Sequence, residues 1–374
     1  MVFCARNVLQ TTIYCVIIIV MKNLNAIFKK FKGVDGALIT SEPCTLYLSG
    51  YSNDSAFILL TKDCALYFTD SRYTEEATAV CGDQAEVITV NGASVFDTIS
   101  EYVQKFNIKT LGFEGRYVSY ETYLKMQKAF DGVRLTSIDD FMDEARMVKT
   151  RDEISLIKKA AGINDKAFLR TLKKVKAGIT EKQLSSELEY QMRKLGADGL
   201  AFTTIVAFGA NTSKPHAHSG DTKLEEGMPV TIDFGCKVKG YCSDITRTFA
   251  FGDPGEDFKT VYEAVLEANL KGIEAVRAGI KAGDVDSASR EYLRSKGLDK
   301  YFTHSTGHGV GVEIHENPYV KAMSDTVLKK NMIITVEPGV YMEGLYGVRV
   351  EDLILVENDG CNVISRLDKK LLIL

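Results

Sequence analysis

The chain has 374 residues, of which 45% are hydrophobic and 26% are charged, a composition typical of folded globular proteins. This composition excludes long disordered, collagen-like and coiled-coil architectures, and the length favours two domains. With 46 basic and 50 acidic residues the formal net charge is -4, so the sequence offers no general basic surface for a nucleic acid. The eight cysteines contain no C-x-x-C pair, which favours a reduced, cytoplasmic protein.

An apolar run, Thr12–Met21, lies close to the amino terminus. It is shorter than the roughly 20 apolar residues that a membrane helix needs, and it has no small-x-small cleavage site before Lys22. We interpret residues 1–20 as an apolar extension that is either not translated or a weak signal or anchor. Translation from Met21 is preferred, because an amphipathic helical pattern begins directly after it.

Residues 21–145 are predicted to form an α/β domain. Short strand-like segments alternate with helical stretches. The predicted strands are Ala37–Thr40, Ala56–Leu60, Ala65–Phe68, Glu86–Val90 and Thr110–Phe113. The domain contains no histidine and no glycine-rich phosphate-binding loop, so the sequence assigns it no chemistry.

Residues 146–374 show the same order of elements twice. Two helices, each opened by the capping-box spacing of Thr150 with Glu153 and of Thr180 with Gln183, precede a predicted hairpin. Two more predicted helices and a second strand pair follow about a hundred residues later. We therefore predict a pseudo-twofold α+β domain, although the two halves are not alike in sequence.

The first predicted hairpin carries two acidic residues, Asp233 and Asp244, in strands otherwise suited to burial. A loop at Val238-Lys239 would pair the two carboxylates directly. A loop at Lys239-Gly240 would instead place Asp233 opposite Thr246, on the same face but one pair further along. Facing carboxylates repel one another unless a positive group lies between them, and a divalent cation is the simplest such group.

The second strand pair repeats this arrangement. Glu337 and Glu351 are predicted to pair across a loop centred on Gly344. If the two hairpins are related by the pseudo-twofold axis, four carboxylates converge, and hard divalent ions neutralise such a charge density well.

All five histidines lie after residue 215, near these hairpins. His308 is the preferred nitrogen ligand, because the glycines of Gly307–Gly311 let the backbone approach a site closely. The chain has neither an H-E-x-x-H motif nor a C-x-x-C pair, which argues against a single-zinc protease and a structural zinc site. Hydrolysis assisted by two metals is the predicted reaction class.

These residues resemble the pita-bread metallopeptidase family, specifically its proline-directed branch of aminopeptidase P and Xaa-Pro dipeptidase (prolidase). The resemblance spans Met21 to Leu374. The segments that carry it are Lys214–His218, Ile232–Gly235, Tyr241–Thr248, His304–Gly311, Glu313–Glu316, Thr335–Gly339 and Gly347–Asp352. The resemblance implies a creatinase-like amino-terminal α/β domain at 21–145 and a pita-bread catalytic domain at 146–374.

The resemblance also implies a dinuclear metal site. Its five ligands would be Asp233, Asp244, His308, Glu337 and Glu351. Asp244 and Glu351 are expected to bridge two divalent ions, typically Mn²⁺, with Co²⁺ or Zn²⁺ as substitutes. In the family a metal-bound hydroxide attacks the peptide carbonyl and Glu337 moves the proton.

Further site residues follow from the same resemblance. His216 and His315 are expected to bind substrate, and one of them to stabilise the tetrahedral intermediate. His304, Arg349 and, with weaker support, Tyr341 are expected to line the site. Arg349 is equally compatible with a direct substrate contact and with a role as hydrogen-bond partner of Glu351.

Three other residues near these motifs are not assigned to the site. His218 has no family role and is interpreted as a surface residue. Cys236 and Cys242 flank the two aspartates but are interpreted as packing residues, because hard ions prefer oxygen ligands.

The predicted function is an Xaa-Pro aminopeptidase, with Xaa-Pro dipeptidase as the alternative and a non-catalytic pita-bread binding module as a third interpretation. The amino-terminal domain argues against a methionine aminopeptidase, and the complete ligand set argues against creatinase. The resemblance further implies a proline-containing peptide substrate and a homodimer. No nucleic acid or membrane partner is expected.

Overall fold

The computed structural model describes Phe28 and residues 31–82, 85–92 and 94–374. The interpretations of residues 1–20 and of Met21 as a start therefore fall outside the described residues. The chain divides into two compact units, an N-terminal unit that ends at Ala145 and a C-terminal unit from Arg146 to Leu374. None of the described helices is long and apolar enough to cross a membrane.

The N-terminal unit is built on a six-stranded mixed sheet. Its strands are β1 (Gly36–Ile39), β2 (Phe57–Thr61), β3 (Ala65–Asp70), β4 (Glu86–Val90), β5 (Thr110–Phe113) and β6 (Arg134–Ser137). The strand order is β4-β3-β2-β1-β5-β6, in which β2 runs antiparallel to β1 and β3 and the other neighbours are parallel. All five predicted strands are confirmed, whereas β6 was not predicted.

Helices cover both faces of this sheet. They are α1 (Glu42–Ser49), α2 (Thr74–Cys81), α3 (Val95–Lys105), α4 (Tyr120–Ala129) and α5 (Asp139–Met147). Because side chains alternate along a strand, Ala37 and Ile39 of β1 pack in one apolar cluster with α1, α2 and α5. Leu38 packs in the other cluster, with α3 and α4. The three-layer arrangement confirms the predicted α/β domain.

The C-terminal unit contains four long helices, and both predicted capping boxes are confirmed. The helices are α6 (Arg151–Leu172), α7 (Glu181–Lys194), α8 (Glu256–Ala275) and α9 (Ala282–Ser295). Thr150 accepts from the backbone N–H of Glu153, whose carboxylate accepts from the N–H of Thr150. Thr180 and Gln183 form the same reciprocal pair at the start of α7.

Antiparallel strands follow each pair of helices. The strands of the first half are β7 (Gly199–Leu200), β8 (Ile205–Phe208), β9 (Met228–Phe234), β10 (Cys236–Val238), β11 (Tyr241–Cys242) and β12 (Ile245–Phe251). Those of the second half are β13 (Gly307–Gly309), β14 (Glu316–Val320), β15 (Ile333–Val336), β16 (Gly339–Met342), β17 (Tyr346–Arg349), β18 (Asp352–Val356) and β19 (Cys361–Val363). The main sheets have the orders β12-β9-β8 and β14-β13-β15-β18-β19.

A buried asparagine marks equivalent positions in the two halves. Asn164 on α6 donates its side-chain amide to the carbonyl of Phe234, at the end of β9. Asn269 on α8 donates in the same way to the carbonyls of Val336 and Val350. Each half therefore uses its first helix to hold the backbone beside its acidic hairpin residue, which supports the predicted pseudo-twofold arrangement.

The first hairpin has the second of the two predicted registers. Asp233 pairs with Thr246, so the prediction of a Val238-Lys239 loop with Asp233 directly opposite Asp244 is wrong. The loop is Lys239-Gly240, with φ values of +48° and +78°. Positive φ at both central residues is what a type I′ turn requires, and this turn fixes the register of the strands that follow.

The second hairpin is interrupted, but its register is the predicted one. Val336 pairs with Asp352 on one side of the interruption, and Gly339 pairs with Arg349 on the other. Continuing either ladder places Glu337 opposite Glu351. Gly344 lies in the loop at the tip with φ of +72°.

Candidate active site

A pocket of about 360 Å³ lies in the C-terminal unit. Among its lining residues are all the predicted site residues except Tyr341: His216, Asp233, Asp244, His304, His308, His315, Glu337, Arg349 and Glu351. The hairpins explain this convergence, because β9 and the segment before β12 supply the aspartates while the interruption of the second hairpin supplies the glutamates. His218 is exposed and is not among the lining residues.

Three of the predicted ligands form a compact set of donor atoms. Potential ligand atoms of Asp244, His308 and Glu351 all lie within 4.8 Å of one another. Nε2 of His308 is 3.6 Å from Oδ2 of Asp244 and 3.3 Å from Oε1 of Glu337. Nδ1 of His308 lies 3.1 Å from the carbonyl of Gly309, so a proton held on Nδ1 leaves Nε2 free to bind a metal.

Close backbone packing places His308 in this position. A Cβ atom at Gly307 would overlap the carbonyl oxygen of Thr335 on the neighbouring strand β15. Only glycine allows the two backbones to approach so closely. The hydroxyl of Thr335 also accepts from the N–H of His308 at 3.1 Å and donates to Glu337 at 3.0 Å, which links two predicted ligands to one strand.

The two carboxylate oxygens of Asp233 differ in their hydrogen bonding. Its Oδ2 accepts from the guanidinium of Arg349 at 2.6 Å. Its Oδ1 is buried and has no hydrogen-bond partner within the described part of the chain. Buried polar atoms are rarely left without a partner, so the free oxygen fits a metal ligand that requires its ion.

The electrostatics of the four carboxylates favour the binding of a positive charge. Burial, followed by repulsion from neighbouring carboxylates, raises the pKa of Asp244 and of Glu351 well above the usual range. Burial also raises the pKa of Asp233. Burial opposes the ionisation of Glu337 as well, but the hydrogen bond to His308 and the positive charges of His308, His304 and Arg349 together outweigh it and lower the pKa of Glu337 to about 2. A divalent cation would neutralise this cluster, because carboxylate oxygens with one imidazole suit such ions.

Thr246 supports one of these carboxylates and was not predicted as a site residue. Its hydroxyl donates to Oε2 of Glu351 at 2.7 Å and accepts from Nε of Arg349 at 3.0 Å. The alternation of side chains along the strand could have identified Thr246 as a site residue, because Thr246 shares a face with Asp244. The structure therefore connects Arg349 to Glu351 through Thr246, whereas its direct carboxylate partner is Asp233.

Tyr341 lies behind the pocket lining, between Arg349 and His304. Its hydroxyl accepts from Arg349 at 2.8 Å and is 2.9 Å from Nε2 of His304. Burial raises the pKa of Tyr341 to about 12, so the hydroxyl keeps its proton and directs it to His304. Nδ1 of His304, 2.8 Å from the carbonyl of Ser305, then carries the imidazole proton.

The remaining predicted histidines stand at the open side of the pocket. His216 and His315 are both exposed, and both line the pocket. The ring of His315 packs against that of His308 with centroids 4.2 Å apart and an interplanar angle of 62°. Apolar or aromatic residues that were not predicted as site residues form much of the remaining wall: Phe202, Ile205, Pro215, Ile314 and Tyr319.

Cys236 and Cys242 are buried thiols outside the pocket lining. The thiol of Cys236 donates to the carbonyl of Ala160, and that of Cys242 to the carbonyl of Val312. Burial raises the pKa of each thiol to about 12, which keeps both protonated. Protonated thiols are poor metal ligands, in line with the packing interpretation.

The paired hairpins and the carboxylate-rich pocket, with the imidazole of His308 among its donor atoms, are typical of a metal-dependent hydrolase. Comparison with protein-family models gives metallopeptidase family M24 for residues 155–358 and the creatinase/prolidase N-terminal domain for residues 21–148. The chain belongs to metallopeptidase family M24. The predicted fold, a creatinase-like amino-terminal domain followed by a pita-bread catalytic domain, is confirmed.

Similar proteins cover almost the whole chain. The Xaa-Pro dipeptidase of Pyrococcus furiosus is 35% identical over 346 residues, 92% of this chain and 97% of that protein. The solved structure of an Xaa-Pro dipeptidase from Bacillus anthracis has a TM-score of 0.90 and 38% identity, covering 96% of this chain and 99% of that one. That of an X-Pro aminopeptidase from Thermotoga maritima has a TM-score of 0.87 and 37% identity, with coverage of 92% and 99%.

Proposed function

We propose that the chain is an Xaa-Pro dipeptidase that hydrolyses the bond between any first residue and a carboxyl-terminal proline. The observation that carries this proposal is a pocket in which four carboxylates meet the imidazole of His308 next to an apolar wall. Similarity to Xaa-Pro dipeptidases from two organisms supports the choice of substrate.

Aminopeptidase activity on longer peptides, the activity preferred from the sequence, becomes the second candidate. Its support is the similarity to the Thermotoga maritima X-Pro aminopeptidase. The relatives named Xaa-Pro dipeptidases are more numerous among the similar proteins, so the comparisons favour the dipeptidase. Both activities cleave before the nitrogen of proline and would use the same catalytic groups.

Five residues would hold two divalent cations: Asp233, Asp244, His308, Glu337 and Glu351. Mn²⁺ is the proposed ion, with Co²⁺ or Zn²⁺ as substitutes. When bound, the cations would supply Lewis-acid activation of water and of the scissile carbonyl. Asp244 and Glu351 are the proposed bridging ligands by resemblance to the family, and the compact donor set that they form with His308 supports this choice.

Glu337 is the proposed proton carrier. Its carboxylate lies in the pocket among the proposed metal ligands, where an ionised carboxylate could accept a proton from the attacking water. Oε1 is held by the hydroxyl of Thr335, which fixes the carboxylate and leaves Oε2 for that proton. The proton would then pass to the leaving nitrogen of proline as the peptide bond breaks.

Histidine side chains would bind substrate around this centre. His216 and His315 have N–H groups at the open side of the pocket, and one of them would stabilise the oxyanion of the tetrahedral intermediate. His304, held by Tyr341, and Arg349, held by Asp233, are the proposed groups that orient the peptide. The apolar wall would pack against the proline ring, which carries no N–H.

The compartment and assembly are also proposals. Five described cysteines are free thiols, in accordance with a reducing cytoplasm: Cys64, Cys81, Cys236, Cys242 and Cys361. A homodimer and domain bounds of 21–145 and 146–374 are proposed by resemblance to the family.

The test is hydrolysis of Ala-Pro, Ala-Pro-Ala and Ala-Ala-Ala by protein stripped of metal and reloaded with Mn²⁺. Metal-dependent cleavage of Ala-Pro alone is expected. Cleavage of the tripeptide before proline would establish the aminopeptidase instead. No cleavage of either proline peptide by metal-loaded protein would contradict both and favour a binding module.

A further inference from the structure

We propose that Asp286 and Arg290 of helix α9, which are not among the pocket-lining residues, are positioning residues that hold the imidazole of His304 in the pocket. The proposal rests on the proposed function for its kinetic consequence only. Its structural basis is a set of hydrogen bonds between α9 and residues 302–306, the segment that connects the helix region to strand β13. We refer to this segment as the His304 segment.

Arg290 and Asp286 form a fork-to-fork ion pair one helical turn apart. Nε of Arg290 donates to Oδ2 of Asp286 at 3.0 Å, and Nη2 donates to Oδ1 at 3.0 Å. Asp286 is only 1% exposed, so the pair is largely shielded from water. Two parallel bonds fix the plane of the guanidinium as well as its position.

The same guanidinium holds two backbone carbonyls of the His304 segment. Nη1 of Arg290 donates to the carbonyl of Phe302 at 3.0 Å, and Nη2 donates to the carbonyl of His304 itself at 2.9 Å. The guanidinium also stacks over the ring of Phe302, 4.2 Å from its centroid. The Phe302 ring in turn meets the His304 imidazole edge to face, with centroids 5.0 Å apart.

Asp286 holds the far end of the segment. Its Oδ1 accepts from the hydroxyl of Thr306 at 2.8 Å and from the backbone N–H of Thr306 at 3.3 Å. The carbonyl of Thr306 accepts from the N–H of Glu337, one of the proposed metal ligands, at 2.8 Å. The ion pair therefore anchors the His304 segment at residues 302, 304 and 306 and joins it to the metal-binding hairpin.

The geometry requires arginine. One planar group satisfies a carboxylate and two carbonyls while stacking on an aromatic ring, whereas the ammonium of a lysine is a point charge that cannot match this planar arrangement. Loss of these bonds would free the His304 backbone, and the imidazole would then lose its alignment with the hydroxyl of Tyr341 at 2.9 Å. Displacements near 1 Å at a site of this kind reduce activity by up to about a hundredfold.

The kinetic experiment compares R290Q, R290K and D286N in the Mn²⁺-loaded enzyme with Ala-Pro as substrate. We expect each to raise KM about tenfold with kcat changed less, because substrate binding is lost more than chemistry. The matched control is R294Q, one turn further along the same helix, where Arg294 forms an exposed pair with Asp299. R294Q should leave KM and kcat unchanged.

A double-mutant cycle with H304A separates positioning from general destabilisation. If Arg290 acts through His304, R290Q will raise KM in the wild-type background and have no further effect in H304A. Equal effects of R290Q in both backgrounds would overturn the proposal. The D286N and R290K variants, which preserve side-chain size, provide the comparison if R290Q does not fold.

Nuclear magnetic resonance gives a readout that does not depend on activity. With five histidines in the chain, ¹⁵N-histidine spectra of the Zn²⁺-loaded protein allow the His304 signal to be identified by its loss in H304A. We expect R290Q to shift the His304 nitrogen resonances and R294Q not to do so. Unchanged His304 resonances in R290Q would overturn the proposal. Failure of the wild type to cleave Ala-Pro would contradict the proposed function but leave this comparison decisive.

Discussion

Replacing Glu316 by glutamine tests a buried ion-pair network in the C-terminal unit. Glu316 opens strand β14, directly after the pocket residue His315, and is 7% exposed. Its Oε1 accepts from the ammonium of Lys149 at 2.7 Å, and its Oε2 accepts from Arg146 at 2.6 Å. Burial alone would raise the pKa of Glu316, but the two cations outweigh it and hold the pKa below its usual range.

The expected loss of stability follows from the charges that remain. Arg146 also pairs with Glu313 at 2.5 Å, so it keeps a carboxylate partner in E316Q. Lys149 is 2% exposed and keeps a hydrogen bond to the carbonyl of Met147, but it loses the ion pair. Removing one partner of a buried ion pair costs about 3–5 kcal/mol, and the retained Glu313 pair favours the lower end. For a unit of this size the melting temperature should fall by about 10 °C.

Thermal and denaturant unfolding of wild type and E316Q at pH 7 measure this difference. The matched control is D221N, which removes an ion pair whose side chains, Lys182 and Asp221, are 59% and 83% exposed. Exposed pairs contribute less than about 1 kcal/mol, so D221N should be nearly neutral. An E316Q variant as stable as D221N would refute the reasoning, because it would show that the buried side chains of Arg146 and Lys149 do not need the Glu316 carboxylate for stability.

The same variant has a defined pH dependence. Because folding lowers the pKa of Glu316, its contribution to stability is complete above the unfolded pKa of about 4.3. The difference between wild type and E316Q should therefore be constant at neutral pH, shrink below about pH 4.3, and vanish as the pH falls through the folded pKa. A difference that grows on acidification would contradict this sign.

Three further substitutions test the site and its supports. T246V removes the hydroxyl that donates to Glu351 and should weaken metal binding about tenfold or more in a competition titration; unchanged affinity would contradict the assigned contact. G307A forces a Cβ against the carbonyl of Thr335 and should lower stability by about 1–3 kcal/mol, so a wild-type melting temperature would be evidence against the close packing. E181Q disturbs a fully buried carboxylate that accepts from the backbone N–H groups of Phe208 and Gly220, which flank the segment carrying His216. The variant should raise KM for Ala-Pro, and a wild-type KM would argue against this supporting role of Glu181.

Local patterns predicted the elements and the ligand-bearing hairpins well. Alternating apolar residues located β1 to β5, and the capping boxes located the starts of α6 and α7. Strand β6 was missed because Arg134–Ser137 is short, partly exposed and mostly polar, so it shows no alternation. The Val238-Lys239 register of the first hairpin was wrong because the observed turn depends on Lys239 adopting a positive φ, which the side-chain pattern does not reveal.

The supports of the site were beyond what local patterns can predict. Thr246 acts through Glu351, which is 105 residues away in the chain. Arg290 reaches the carbonyl of His304 across 14 residues from a helix whose own pattern indicates only an amphipathic face. Tyr341 lies behind the pocket because its ring turns toward Arg349, a choice made by three-dimensional packing. Such contacts depend on the assembled fold and leave no periodic signal.

The most direct test of the account is a crystal structure of the Mn²⁺-loaded protein, measured with anomalous diffraction at the manganese edge. We predict two anomalous peaks in the pocket, both in contact with Asp244 and Glu351, and one of them bound by Nε2 of His308. Loss of both peaks in D244N under the same conditions would complete the evidence. A pocket without anomalous density in protein that cleaves Ala-Pro, or peaks at other residues, would contradict the proposed dinuclear centre.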